Sequence, residues 1–155
     1  MMFFNDSITP YVGTDTFKLG DKLENIRSFL KENHIGFDQS IDSNKGCEPE
    51  IPWIFIRLSD SITLCFVLDI LFEIVLENDY KGKLTNGGYI GMKMSEIKDI
   101  DSSLEYNDED EDFVSSKGYW ITDSVDTGNV ESITIFLPDV ERDDFFKYEW
   151  IVNYK

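Results

Sequence analysis

Ile62-Thr63-Leu64-Cys65-Phe66-Val67-Leu68-Asp69-Ile70-Leu71-Phe72-Glu73-Ile74-Val75-Leu76-Glu77 sets the architecture of this chain. As one helix it would be a buried rod; as two strands it is a hairpin at the centre of a sheet. β-Branched residues are dense here, and Phe72, Ile74 and Leu76 alternate along the chain. Both features predict strands over 62–67 and 70–77, with a tight turn near Leu68-Asp69. The run from Ile62 to Leu76 is also the longest apolar one, but Asp69 and Glu73 interrupt it. It is too short and too charged to span a bilayer.

On its N-terminal side, Ile54-Phe55-Ile56-Arg57-Leu58 is rich in strand formers, and Asp60-Ser61 marks the turn after it. The preceding residues 38–52 are polar, carry Gly46, Pro49 and Pro52, and read as a loop. Before them, Leu23, Ile26, Phe29 and Leu30 recur at helical spacing and predict a helix over 22–33. Asp21 is its candidate N-cap, with Glu24 placed for a capping box, and Gly36 its stop. Residues 1–16, with Pro10 and Gly13, read as an irregular or edge segment.

Downstream, Asn86-Gly87-Gly88 is a turn signal, and then the first pattern returns. Ile90-Gly91-Met92-Lys93-Met94-Ser95-Glu96-Ile97 lies on Leu19-Gly20-Asp21-Lys22-Leu23-Glu24-Asn25-Ile26 without a gap. After each copy come a short helix, a strand carrying Trp (Trp53; Trp120) and an alternating strand (Phe72 to Glu77; Val130 to Leu137). Lys117 to Thr122 reads as the Trp strand of the second half, and Asp126-Thr127-Gly128-Asn129 as a hairpin loop. Pro138 ends the last strand. The tail 139–155, with Phe145, Phe146, Trp150 and Ile151, is too apolar to stay in water and should pack back as a strand or short helix. The expected architecture is α+β in one domain: an antiparallel sheet with helices on one face. It is expected to be built from two pseudo-repeats, about 17–83 and 84–137, with a C-terminal packing segment 138–155.

The 155 residues carry 31 acidic and 14 basic side chains, a formal charge of −17. Such a surface repels nucleic acid and anionic membrane and attracts a basic partner over long range. The chain has no Ala beside abundant Asn, Lys, Asp and Ile, so coding bias accounts for part of the charge. Met1-Met2-Phe3-Phe4-Asn5-Asp6 has neither a basic nor a long apolar region, so no signal peptide is expected, and the cytoplasm is the simplest compartment. Cys47 and Cys65 are widely spaced and suggest neither a disulfide framework nor a zinc site; Cys65 reads as a small core residue.

Few residues suggest chemistry. His34, the only histidine, follows a helix end and has no partner evident in the sequence; a structural or scaffold protein, and then a small hydrolase using His34, are the alternatives to a partner-binding inhibitor. No Gly-x-Ser-x-Gly elbow is present, and Gly87-Gly88-Tyr89-Ile90-Gly91 fits no phosphate or dinucleotide motif. No cofactor, metal or catalytic group is therefore expected. The sharpest local feature is Asp108-Glu109-Asp110-Glu111-Asp112. It lacks the spacing, central Gly and terminal Glu of an EF-hand calcium loop. A solvated loop and a docking patch both fit it, since five acids repel one another until water or a basic partner screens them. Tyr106 and Phe113 flank the run, as partner anchors or as pins to the core. A hydrolytic carboxylate pair would need one acid in an apolar pocket, which a polar run does not suggest.

Taken together, the duplicated apolar-Gly-x-Lys-apolar-x-x-Ile element, Asp79-Tyr80-Lys81-Gly82-Lys83, the acidic run and the Lys117-Gly118-Tyr119 strand resemble small bacterial immunity proteins. These are the cognate inhibitors of contact-dependent growth inhibition and related toxins. The duplicated helix-then-strand pattern also resembles the β-lactamase-inhibitor-like fold. The resemblance covers most of residues 17–137 and implies a stoichiometric inhibitor of a protein toxin. Many such toxins are nucleases with basic clefts, which an acidic protein blocks. The resemblance carries over no contact residues; the charge pattern itself makes Asp108, Glu109, Asp110, Glu111 and Asp112, with Tyr106 and Phe113 as flanking anchors, the expected partner-binding residues.

Overall fold

The computed structural model describes residues 2–155, so of the irregular opening expected over 1–16 only Met1 lies outside it. In chain order the elements are β1 (Ile8–Thr9), β2 (Gly13–Thr14), α1 (Leu23–Glu32), β3 (Asp38–Asp42), β4 (Trp53–Leu58), β5 (Ile62–Val67), β6 (Ile70–Glu77), α2 (Met94–Ile100), β7 (Glu105–Asn107), β8 (Asp112–Ser115), β9 (Tyr119–Asp123) and β10 (Val130–Phe136). Strands β3 to β10 form one antiparallel sheet in the order β3-β4-β5-β6-β10-β9-β8-β7, while β1 and β2 pair separately. No helix among the described residues is long and apolar enough to cross a membrane.

The central stretch is a two-strand hairpin, as its β-branched content predicts. Leu68 (φ 48°) and Asp69 (φ 71°) are both left-handed and close a two-residue turn between paired Val67 and Ile70. That conformation is costly for a bulky Leu. The turn is braced from outside, because the Leu23 amide at the start of α1 donates to the Asp69 carbonyl (2.8 Å). A bulge corrects the expected alternation. Cys65 pairs with Glu73 and Phe66 with Leu71, leaving Phe72 as the extra residue. Ile74 and Leu76 pack on the face that carries the helices, whereas Phe72 packs on the opposite face with Cys65 and Ile70. Phe72 and Glu73 are therefore consecutive residues on one face.

Leu23, Ile26 and Leu30 of α1 and Met94 and Ile97 of α2 pack into the larger core cluster, with Ile56, Leu64, Ile74, Ile121 and Ile133 of the sheet. Both helices thus lie on one face, as expected. Phe29 is less buried than the helical stripe predicts, at 37% exposed. Asp21 is not the N-cap: Lys22 holds that position, and the Asp21 carboxylate accepts from the Lys22 amide and the Asn25 side chain. Gly36 is not the stop. His34 takes the left-handed position (φ 55°), its amide bonding to Lys31 O and that of Ile35 to Leu30 O, a Schellman closure.

The glycine in each copy of the repeated element has a backbone reason. Gly20 (φ 92°) and Gly91 (φ 96°) both need the left-handed region. Gly20 N–H donates to Leu71 O, Leu71 N–H to Asp21 O and Leu23 N–H to Asp69 O. In the other half Gly91 N–H donates to Val130 O, Val130 N–H to Met92 O and Met94 N–H to Gly128 O. Each strap clips a helix start onto the sheet.

Two strand regions were not legible as such. Asp38–Asp42 forms the edge strand β3 inside the expected loop over 38–52; all five of its residues are exposed, so no apolar period marks it. Strands β7 and β8 hold the acidic run between them, Asp112 being the first residue of β8, and the Trp strand β9 begins at Tyr119 because Lys117 and Gly118 belong to the preceding turn. The short β8 is anchored by a buried acid. Asp101, at the end of α2, accepts from Ser103 N (3.0 Å) and Oγ (2.6 Å), Ser115 Oγ (2.6 Å) and Tyr119 Oη (2.5 Å). Burial would raise its pKa, but these four donors outweigh burial and hold it down at about 2.

The tail packs back as short 3-10 helices, Pro138–Glu141, Phe145–Lys147 and Glu149–Tyr154, on the face opposite α1 and α2. Phe145 and Trp150 stack at 5.5 Å, and Trp150 Nε1 donates to Phe145 O (2.9 Å). Trp53 Nε1 on β4 donates to Tyr148 Oη (2.8 Å), which ties the tail to the sheet. Tyr148→Phe removes this acceptor and is expected to lower stability by about 1 kcal/mol in urea denaturation. An unchanged midpoint would show that the bond contributes nothing.

Candidate functional site

The acidic run spans a hairpin. Asn107 and Asp112 are the last paired residues of β7 and β8, and Asp108, Glu109, Asp110 and Glu111 form the exposed loop between them. The Asn107 side chain shapes the loop: its Oδ1 accepts from Glu109 N (3.0 Å), and its Nδ2 donates to Asp110 Oδ2 (3.3 Å). Among the described residues the ion pairs are Arg57–Glu77, Arg142–Asp139 and Arg142–Asp144, so none of the five acids is neutralised by a cation of its own chain.

The two flanking aromatics are brought together. Tyr106 pairs with Phe113 across β7 and β8, their rings 5.1 Å apart. Phe113 packs against the helix-side core, and Lys98 Nζ of α2 lies 4.6 Å over its ring. Phe113 thus reaches the core, whereas Tyr106 borders a surface hollow with Asp108 and Glu109. Tyr106 is 53% exposed, and burial together with the surrounding Glu111, Asp108, Asp123 and Asp112 charges raises its pKa.

On the opposite face Asp112 and Asp110 border a cleft of about 420 Å³ between the sheet and the tail. Phe72 and Glu73 of the bulge, Trp53, Trp120 and Phe146 line it with them. Trp53 and Phe146 stack with 6° between their planes, and Trp53 meets Phe72 edge-on at 4.9 Å. Burial in this aromatic setting pushes Glu73 up to about 7, against the Cys65 thiol that donates to it and lowers it. Burial and then the Asp110 charge raise Asp112, whose Oδ1 is buried without a hydrogen-bond partner. The surroundings of the acidic run are therefore not polar throughout, as its sequence suggests: Asp110 and Asp112 border aromatic side chains contributed by other strands and by the tail.

Sequence reading missed Glu73, Trp53, Trp120 and Phe146 as one constellation. The available signal was a lone acid inside an apolar strand run, which served above only to exclude a membrane span. His34 is exposed and holds its left-handed position through backbone bonds. Cys65 is buried and Cys47 exposed, both as free thiols. No group of three or more His, Cys, Asp or Glu among the described residues is placed to hold a metal ion. Comparison with protein-family models, curated proteins and solved structures found no match.

Proposed function

We propose that this chain is a binding protein that captures a basic protein partner, and that the partner is a bacterial toxin domain neutralised in a stoichiometric complex. The observation that carries this reading is the β7–β8 hairpin. It presents four exposed acids without ion pairs among the described residues and continues through Asp110 and Asp112 into a carboxylate-bearing aromatic cleft. Charge of this kind steers a basic partner and speeds its association, while aromatic surface supplies affinity. The resemblance to immunity proteins supplies the class of partner, a protein toxin, and the cytoplasm is the compartment such an inhibitor would occupy.

The reading includes a duplicated architecture. The matching glycine straps at Gly20 and Gly91 support it, as do the two four-strand meanders joined between β6 and β10. A second reading, a small hydrolase, is favoured by one observation: Glu73, its pKa raised by burial, shares a cleft with Asp112. His34 lends it no support.

The test is co-expression and purification with the product of the gene immediately upstream. A one-to-one complex that restores growth is expected, with an association rate that falls as salt rises. Replacing Asp108, Glu109, Asp110, Glu111 and Asp112 by Asn and Ser should slow association about tenfold or more and flatten its salt dependence, with the fold intact. Unchanged association would remove the hairpin from the interface, and substrate turnover by the purified chain would overturn the binding reading in favour of the hydrolase.

A further inference from the structure

We infer that the cleft beneath the acidic hairpin is a receptor for one arginine side chain, presented by the basic partner. The inference rests on the proposed binding function and deepens it, because it names the chemical group that the protein grips.

Three observations converge. First, the cleft combines aromatic walls, Trp53, Trp120 and Phe146, with three carboxylates, Glu73, Asp110 and Asp112. Aromatic faces attract a planar cation, and the carboxylates supply the opposite charge. Second, the carboxylates lack cationic partners. Asp112 Oδ1 is buried and unbonded, and none of the three takes part in the ion pairs found among the described residues. A buried oxygen left without a donor costs about 1–3 kcal/mol, which a ligand N–H would relieve. Third, the β5–β6 bulge turns Glu73 onto the face of Phe72 and Cys65, where a regular strand would alternate. An acid placed there by a local distortion is a costly arrangement unless something compensates it.

The same features select the occupant. The donor oxygens do not converge on a point that would hold a metal ion, so one compact cation is not the fit. Guanidinium carries five N–H donors in a plane, reaches several carboxylates at once and is weakly hydrated enough to leave water for aromatic walls. An ammonium is a compact and strongly hydrated point charge, less suited to such walls. A cleft of about 420 Å³ also accommodates the aliphatic stem and the adjoining backbone.

The test titrates N-acetyl-arginine amide into the full chain, read by tryptophan fluorescence and by amide chemical shifts. Saturable binding is expected with a Kd on the order of 1 mM, at least about fivefold tighter than N-acetyl-lysine amide. Glu73→Gln and Asp112→Asn, which preserve side-chain size, should each weaken it about fivefold or more. Neutralising Asp108, Glu109 and Glu111 alone should leave it within about twofold, because those residues do not line the cleft. No saturable shift, equal shifts with the lysine amide, preferential binding of a neutral oligosaccharide, or binding that survives both cleft substitutions would overturn the inference. Failure here with a toxin complex still formed would remove the cleft but keep the binding function. Arginine binding with no partner complex would do the reverse.

Discussion

Asp101→Ala is expected to lower the unfolding free energy by about 4 kcal/mol at neutral pH, since charged hydrogen bonds are worth about 1.5–3 kcal/mol each and are not additive. The substitution strands the buried hydroxyls of Ser115 and Tyr119, which both donate to Asp101 Oδ2. Asp101→Asn keeps the shape and one acceptor and should lose roughly half as much. The pH dependence has a definite sign. The folded carboxyl is held at about 2 against an ordinary 3.8, so its stabilisation is present above pH 3.8 and disappears as pH falls through about 2. The gap between wild type and D101N in urea denaturation should therefore close across that window. Because Asp101 anchors β8, hydrogen exchange in the β7–β8 hairpin should also accelerate in both variants. A gap that is constant with pH would mean that the network does not depend on the charge.

Glu73→Gln should stabilise the protein by about 3 kcal/mol at pH 8 and change little at pH 4.5, because each tenfold change in proton affinity is worth about 1.4 kcal/mol. Burial raises the folded carboxyl from 4.5 to about 7. The proton is thus held more tightly in the folded state. The favourable contribution is complete below pH 4.5 and lost as pH rises through about 7, leaving a buried charge at neutral pH. The groups facing it are the Cys65 thiol from β5 and the Asp110 and Asp112 carboxylates across the cleft; none is a cation, so nothing among the described residues neutralises the charge. Thermal melts of wild type and E73Q at the two pH values check this, and parallel pH dependence in both would refute it. A substitution that stabilises the fold while weakening arginine binding is the signature of a residue kept for function at a cost in stability.

Much of the fold could be read directly. The 62–67 and 70–77 strands, the Leu68-Asp69 turn, the first helix and the packed-back tail all follow from β-branched density, helical spacing and apolar content, which act locally. The edge strand β3 could not be read, because Asp-Gln-Ser-Ile-Asp owes its extended form to the ladder offered by β4. The acidic run was legible as a loop and as a concentration of charge. Its partner residues were not, since Glu73, Trp53, Trp120 and Phe146 lie tens of residues apart along the chain.

The order of residues alone established the α+β class, the acidic character, the strands at the sheet centre and the scarcity of side chains suited to common catalytic motifs. These depend on composition and on periods of two or 3.6 residues, which neighbours along the chain establish. Which side chains the charge lies beside was decided only by long-range pairing. One bulged residue moved Phe72 and Glu73 onto the same face, and antiparallel pairing carried Trp53, Trp120 and the acidic hairpin to a common cleft beneath the tail. A one-residue register change inverts the face of every later side chain in a strand, and no local pattern reports it.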